Sequence, residues 1–163
     1  MIGGDIRSVR ERPTVPSVIV CALICWLAAS VQVGFFHALP VCGAVVELTF
    51  ALVCYIGWRR GALTGAVAGV VGGFVLDALT TVGLSVLPVL FMLGGIYMAL
   101  AAEHLFDRPL THLLALLPAY AVLGGYRAMV VGRFSHLFAV LLAGYIASVI
   151  LYIPSAIRFY RGR

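Results

Sequence analysis

The chain has no lysine: all eleven of its basic residues are arginine, which excludes Schiff-base chemistry on a lysine. Charge of either sign is scarce. Only 10% of the 163 residues are charged, 63% are hydrophobic, and the mean hydropathy is +1.12, whereas a water-soluble domain carries about 25% charged residues. A water-soluble globule is therefore excluded. The apolar runs are unbroken and far longer than the alternating segments of roughly ten residues that build a membrane β-barrel, so the spans are helices. There is no Walker motif, no GxSxG and no HExxH, and no serine lies in one layer with a histidine and an aspartate; an ATPase is excluded and an intramembrane hydrolase disfavoured. The four cysteines, Cys21, Cys25, Cys42 and Cys54, all sit in apolar segments without a CxxC pair. They read as buried, inert thiols, with neither a disulfide framework nor a metal site. No cofactor is implied.

What is present is a series of apolar runs. A membrane-spanning helix takes roughly 20 apolar residues, so six spans occupy about 120 positions and leave no room for a separate soluble domain. The expected architecture is a single all-α transmembrane domain over residues 1–163, a compact bundle with helices at about 15–36, 40–58, 61–81, 85–106, 110–126 and 134–157. The first run follows Arg7, Arg10 and Arg12 and is longer than the apolar part of a signal peptide, which reads as an uncleaved helix. Pro40 and Pro88 fall in first turns, where a missing N–H costs nothing, and Ser85 is placed to cap the fourth helix. With six spans, nine arginines fall on the side of the two termini, and only Arg127 and Arg133 fall on the other. The positive-inside rule makes the first side cytoplasmic, so the net charge of +5 sets orientation at the lipid headgroups and does not mark a nucleic-acid surface. The outer connections, near His37, Gly83 and Gly132, are short.

Gly61, Gly65, Gly69 and Gly73 recur every four residues. Residues four apart share a helix face, so this stripe lets another backbone approach closely, inside the bundle or from another protein. Asp77 continues the register. An aspartate in a span needs a partner or water. At 1.5 Å per residue it lies about 24 Å from Gly61, and Arg127 reaches a similar depth in the fifth helix, so the two are placed to form an ion pair. Glu47, nearer mid-membrane, has Thr49, Thr64, Thr80 or a water as candidate partners. A proton or ion pathway is the alternative role for these acids, and the absence of a polar relay favours a structural one. Glu103, His104, Asp107 and His112 form the densest polar cluster and read as solvated at the headgroup level.

The stretch GALTGAVAGVVGGFVLDALTTVGLSVL over residues 61–87, followed by a helix with Gly94 and Gly95, resembles MreD, the small membrane protein of the bacterial rod-shape system. The shared pattern is a glycine-spaced helix ending in a G-F-x-x-D block and a short glycine turn, met here by Gly65, Gly69, Gly73, Phe74, Asp77 and Gly83. The resemblance covers about 40 residues strongly. This chain departs from it in Thr80, Thr81 and Val82, where small residues are frequent, and in lacking lysine.

That resemblance implies a non-enzymatic scaffold in the bacterial cytoplasmic membrane. Its partners would be an MreC-like single-span protein and the elongation complex of RodA and a penicillin-binding transpeptidase, with a link to MreB filaments. It also implies a likeness in fold to the substrate-binding subunits of energy-coupling-factor vitamin transporters, which supplies the alternative function. Such a subunit would need a pocket near the outer face, for which Gln32, His37, Arg127 and His136 are the candidate lining.

Overall fold

In a computed structural model of the protein, residues 14–36, 47–80, 86–104 and 109–131 are described, with positions 142, 144–146, 148–150 and 153 beyond them. The described chain is almost entirely helical. Helix α1 spans Val15–Val31, with a proline in its first turn, and runs on into a π-helical turn over Gln32–Phe36. Then come α2 (Leu48–Arg60), α3 (Ala62–Thr80), α4 (Leu87–His104) and α5 (Pro109–Val131). The described positions from 142 to 153 are helical too.

Among the described residues, four stretches are long and apolar enough to cross a membrane: Val15–Phe35, Ala62–Thr80, Leu87–His104 and His112–Val130. Helix α2 has 13 residues, about 20 Å, which is short of a hydrocarbon core of about 30 Å. Two limits differ from those expected from hydropathy. Helix α2 begins at Leu48 rather than Pro40, because Glu47 takes a non-helical conformation (φ −83°, ψ 64°) as its N-cap. Helix α5 continues to Val131 rather than ending at Tyr126, because Arg127 is held inside the bundle and does not mark a connection. Residues 37–46, with Pro40 and Cys42, residues 81–85, with Gly83 and Ser85, and most of the sixth expected span lie outside the described residues.

The α2–α3 link is a single residue. Gly61 caps α2 with its N–H on the Gly57 carbonyl (3.0 Å) and φ of 98°, a left-handed conformation that a side chain would strain. Its carbonyl then accepts the N–H of Gly65 (3.0 Å), so α3 starts at once and returns alongside α2. Gly61 shares the four-residue spacing of the stripe, but its work is at this turn.

Helices α3 and α4 pack antiparallel and so closely that their backbones meet at Gly65, Gly69, Gly73 and Gly95 with no room for a side chain at those positions. A Cβ on Gly73 would lie 2.6 Å from the Pro88 Cα, one on Gly69 2.5 Å from the Phe91 carbonyl oxygen, and one on Gly65 2.7 Å from the Gly57 Cα. From the facing side, a Cβ on Gly95 would lie 2.5 Å from the Gly65 carbonyl oxygen, and one on Gly57 would collide with the Gly95 carbonyl. Three backbones, from α2, α3 and α4, therefore meet at Gly57, Gly65 and Gly95. In lipid, where no water drives helices together, such approach supplies dispersion contact along the whole seam.

Helix α1 joins through small residues as well. Cys21, Cys25 and Ala29, four apart, are its buried residues, and Cys25 lies against Gly72 of α3. Its other faces are open: Val15, Ile19, Val20, Leu23 and Leu27 are all more than half exposed. An apolar surface of this extent suits lipid.

Candidate functional site

Helix α5 meets α2 in the opposite way, through large side chains. The two run antiparallel, with His112 edge-on to Trp58 (4.8 Å between ring centres) and Tyr120 edge-on to Phe50 (5.2 Å). Further along, Arg127 is paired with Glu47, Nη2 to Oε1 at 2.7 Å. Aromatic edge-to-face contacts add specific geometry to the area they cover. Phe50 also tilts against Phe91 of α4 (5.0 Å), and its ring fills the space that a side chain on Gly94 would need.

The Glu47–Arg127 pair is the end of a buried polar node. Glu47 is 1% exposed, and its second oxygen accepts the Gln32 Nε2–H (3.0 Å). The Gln32 side-chain oxygen in turn accepts two bonds from Thr49, from its backbone N–H (2.9 Å) and its hydroxyl (2.8 Å). The Thr49 N–H is one of the four at the start of α2 that have no intrahelical acceptor. Gln32, from the π-helical end of α1, thus does for α2 what a capping side chain does; Glu47 makes no side-chain capping bond of its own. A carboxylate at this position is also favoured by the positive end of the α2 dipole. Four side chains from three helices hold one another where lipid offers no hydrogen bonds.

The node corrects the expected pairing of Asp77 with Arg127. Counting along each helix matches depth but leaves rotation about the axis open, and Arg127 is turned to α2. Glu47 bonds to Gln32 and Arg127 rather than to Thr64 or Thr80: the Thr80 hydroxyl donates to the Leu76 carbonyl of its own helix (2.7 Å), and the buried Thr64 hydroxyl makes no hydrogen bond. Asp77 is partly exposed in the described span of α3, and among the described residues no hydrogen bond or ion pair to it is found. The cost of an unpaired acid at a helix centre is about 2.5–3.5 kcal/mol on insertion scales and falls towards the interface.

Other candidates divide. Gly65, Gly69 and Gly73 lie in the α3–α4 contact and Gly61 at the turn, as given above. His112 is 1% exposed against Trp58, so it leaves the cluster expected at the headgroup level, in which Glu103 and His104 are exposed; Asp107 lies outside the described residues. Cys21, Cys25 and Cys54 are buried and free. Of the four residues assigned to an outer mouth, Gln32 and Arg127 are in the node, and His37 and His136 lie outside the described residues. Tyr120 and Ser148 share a buried hydrogen bond (3.1 Å), and the Ser148 hydroxyl donates to the Gly144 carbonyl (2.9 Å), which ties the last described helical stretch to α5.

A groove of about 270 Å³ opens between α4 and α5, with Phe50 and Gly94 in its lining and Leu93, Tyr97, Pro118 and Val122 among its walls. Its lining is almost wholly apolar. Pro118, inside α5, leaves the Leu114 carbonyl without its helical donor. No group of three or more His, Cys, Asp or Glu side chains placed to hold a metal ion occurs among the described residues. Comparison with protein-family models, curated proteins and solved structures finds no match to this chain.

Proposed function

We propose that this chain is a non-enzymatic integral-membrane scaffold of the bacterial cell-elongation machinery, of the MreD kind, that holds an MreC-like single-span protein beside the RodA and transpeptidase complex and so helps organise peptidoglycan synthesis. The observation that supports this reading is where the polar groups go. Glu47, Gln32, Thr49 and the Arg127 Nη2 are bonded to one another, with the buried Arg127 Nε left without a hydrogen-bond partner, while the outer faces of α1, α3 and α5 carry exposed apolar side chains. A bundle of this kind offers rigid helix faces to other helices, and the sequence pattern of residues 61–87 supports the family. The same reading puts it in the cytoplasmic membrane as a bundle of six spans, with both termini on the arginine-rich, cytoplasmic side.

Co-expression with an MreC-like single-span protein and purification through a tag on the latter tests the proposal. The two recovered in fixed ratio from mild detergent is the expected result. Reporters active only outside the cytoplasm, fused to either end, should give no signal. Failure of co-purification, together with a vitamin-sized mass in native mass spectrometry of the purified chain, would replace the scaffold by the vitamin-transporter subunit.

A further inference from the structure

We infer that Asp77, together with the ring of Phe74, forms the contact for a basic side chain carried by a partner's membrane-spanning helix. The inference rests on the scaffold reading and assigns it a surface. Within the described residues, no hydrogen bond or ion pair to Asp77 is found. The Arg127 Nη2 and the Gln32 amide are on Glu47, Thr49 is on Gln32, and the Thr80 hydroxyl is turned onto Leu76.

The rotation of Asp77 about α3 is the second argument. At 100° per residue, positions 63, 70, 74 and 77 fall within an arc of about 60°. Leu63, Val70 and Phe74 on that arc are 60%, 42% and 65% exposed, and Asp77 is itself partly exposed. Asp77 is the member of that arc nearest the seam: Gly73, which meets α4, lies about 40° from it, and Gly69 and Gly65 about 80° and 120°. An acid at the border between the glycine seam and an apolar, outward-facing stripe is complementary to one kind of neighbour. Lipid tails offer it no donor. A helix laid along the stripe with an arginine opposite Asp77 offers two parallel N–H groups to the carboxylate and a planar cation to the Phe74 ring.

The test uses the full chain in vesicles of phosphatidylglycerol, which bring no cationic headgroup. The probe is a synthetic leucine–alanine helix of about 23 residues with one arginine at the level of Asp77, or glutamine in its place, and association is read by energy transfer. The arginine helix should associate roughly tenfold more tightly than the glutamine helix, a difference of about 1.4 kcal/mol. D77N should remove the preference and D77E retain most of it. D77R should transfer the preference to a glutamate-bearing helix, which guards against a variant that merely folds poorly. Equal association of the two helices with the natural chain, or a preference unchanged in D77N, overturns the inference. So does a preference seen only when phosphatidylethanolamine is added, because the acid then answers to a headgroup. If the MreC-like protein co-purifies equally well with D77N, the scaffold stands and this contact falls. If it fails to co-purify with the natural chain, the scaffold reading itself fails, whatever the synthetic helix does.

Discussion

The α3–α4 and α2–α5 contacts join helices by opposite means. Along α3–α4 the side chains are removed, and the Gly65, Gly69 and Gly73 backbones lie against the α4 backbone. Along α2–α5 the side chains are large or charged, and the helices are held by Trp58 with His112, Phe50 with Tyr120, and Glu47 with Arg127. Without a hydrophobic driving force between spans, both are ways to gain contact that lipid cannot match. They fail in opposite directions. The first is broken by adding atoms and the second by taking them away.

The largest effect should come from taking away a charge. Arg127→Ala leaves Glu47 buried and unneutralised, and breaking a buried pair on one side costs about 3–5 kcal/mol; unfolding titrations in mixed detergent micelles measure it. Adding one carbon to the other seam comes next. Gly69→Ala puts a methyl group 2.5 Å from the Phe91 carbonyl oxygen, and the forced separation of α3 from α4 should cost about 1–3 kcal/mol in the same titration. A change to leucine there should prevent recovery of folded protein.

Smaller effects sharpen the comparison. Tyr120→Phe keeps the ring on Phe50 and removes the hydroxyl that meets Ser148 at 3.1 Å, for an expected loss of about 0.5–1.5 kcal/mol. The smallest has the opposite sign. Gly125 of α5 has nothing within 4 Å of an added Cβ, so Gly125→Ala should stabilise by about 0.4–1 kcal/mol. A loss there equal to that at Gly69 would mean that glycine is needed throughout the bundle and not at the seam.

The glycine seam was readable in the sequence because close approach demands small residues at a fixed period, and Gly65, Gly69 and Gly73 repeat. Its facing side was less so: α4 contributes Gly95 with the backbone at Phe91 and Pro88, and a backbone has no signature. Gly57 falls on the same four-residue spacing, but it stands alone in α2, across the turn at Gly61, so the spacing does not place it on the α3 face. For the polar node, hydropathy gave the depth of Glu47 and Arg127 but not their rotation, which depends on which helix α5 lies beside. Gln32 carries no charge and interrupts an apolar run by one residue, so nothing marked it as the group that caps another helix. The start of α2 was hidden for a related reason, since the residues before Glu47 are as apolar as those after it.

The central claim is that Arg127 belongs to Glu47, which leaves Asp77 without a partner among the described residues. Two double-mutant cycles, Glu47→Ala with Arg127→Ala and Asp77→Ala with Arg127→Ala, measured by the same unfolding titration, test it most directly. The first cycle should depart from additivity by about 0.5–3 kcal/mol, and the second should be additive within about 0.3–0.5 kcal/mol. Additive losses at Glu47 and Arg127, with coupling between Asp77 and Arg127, would contradict the account.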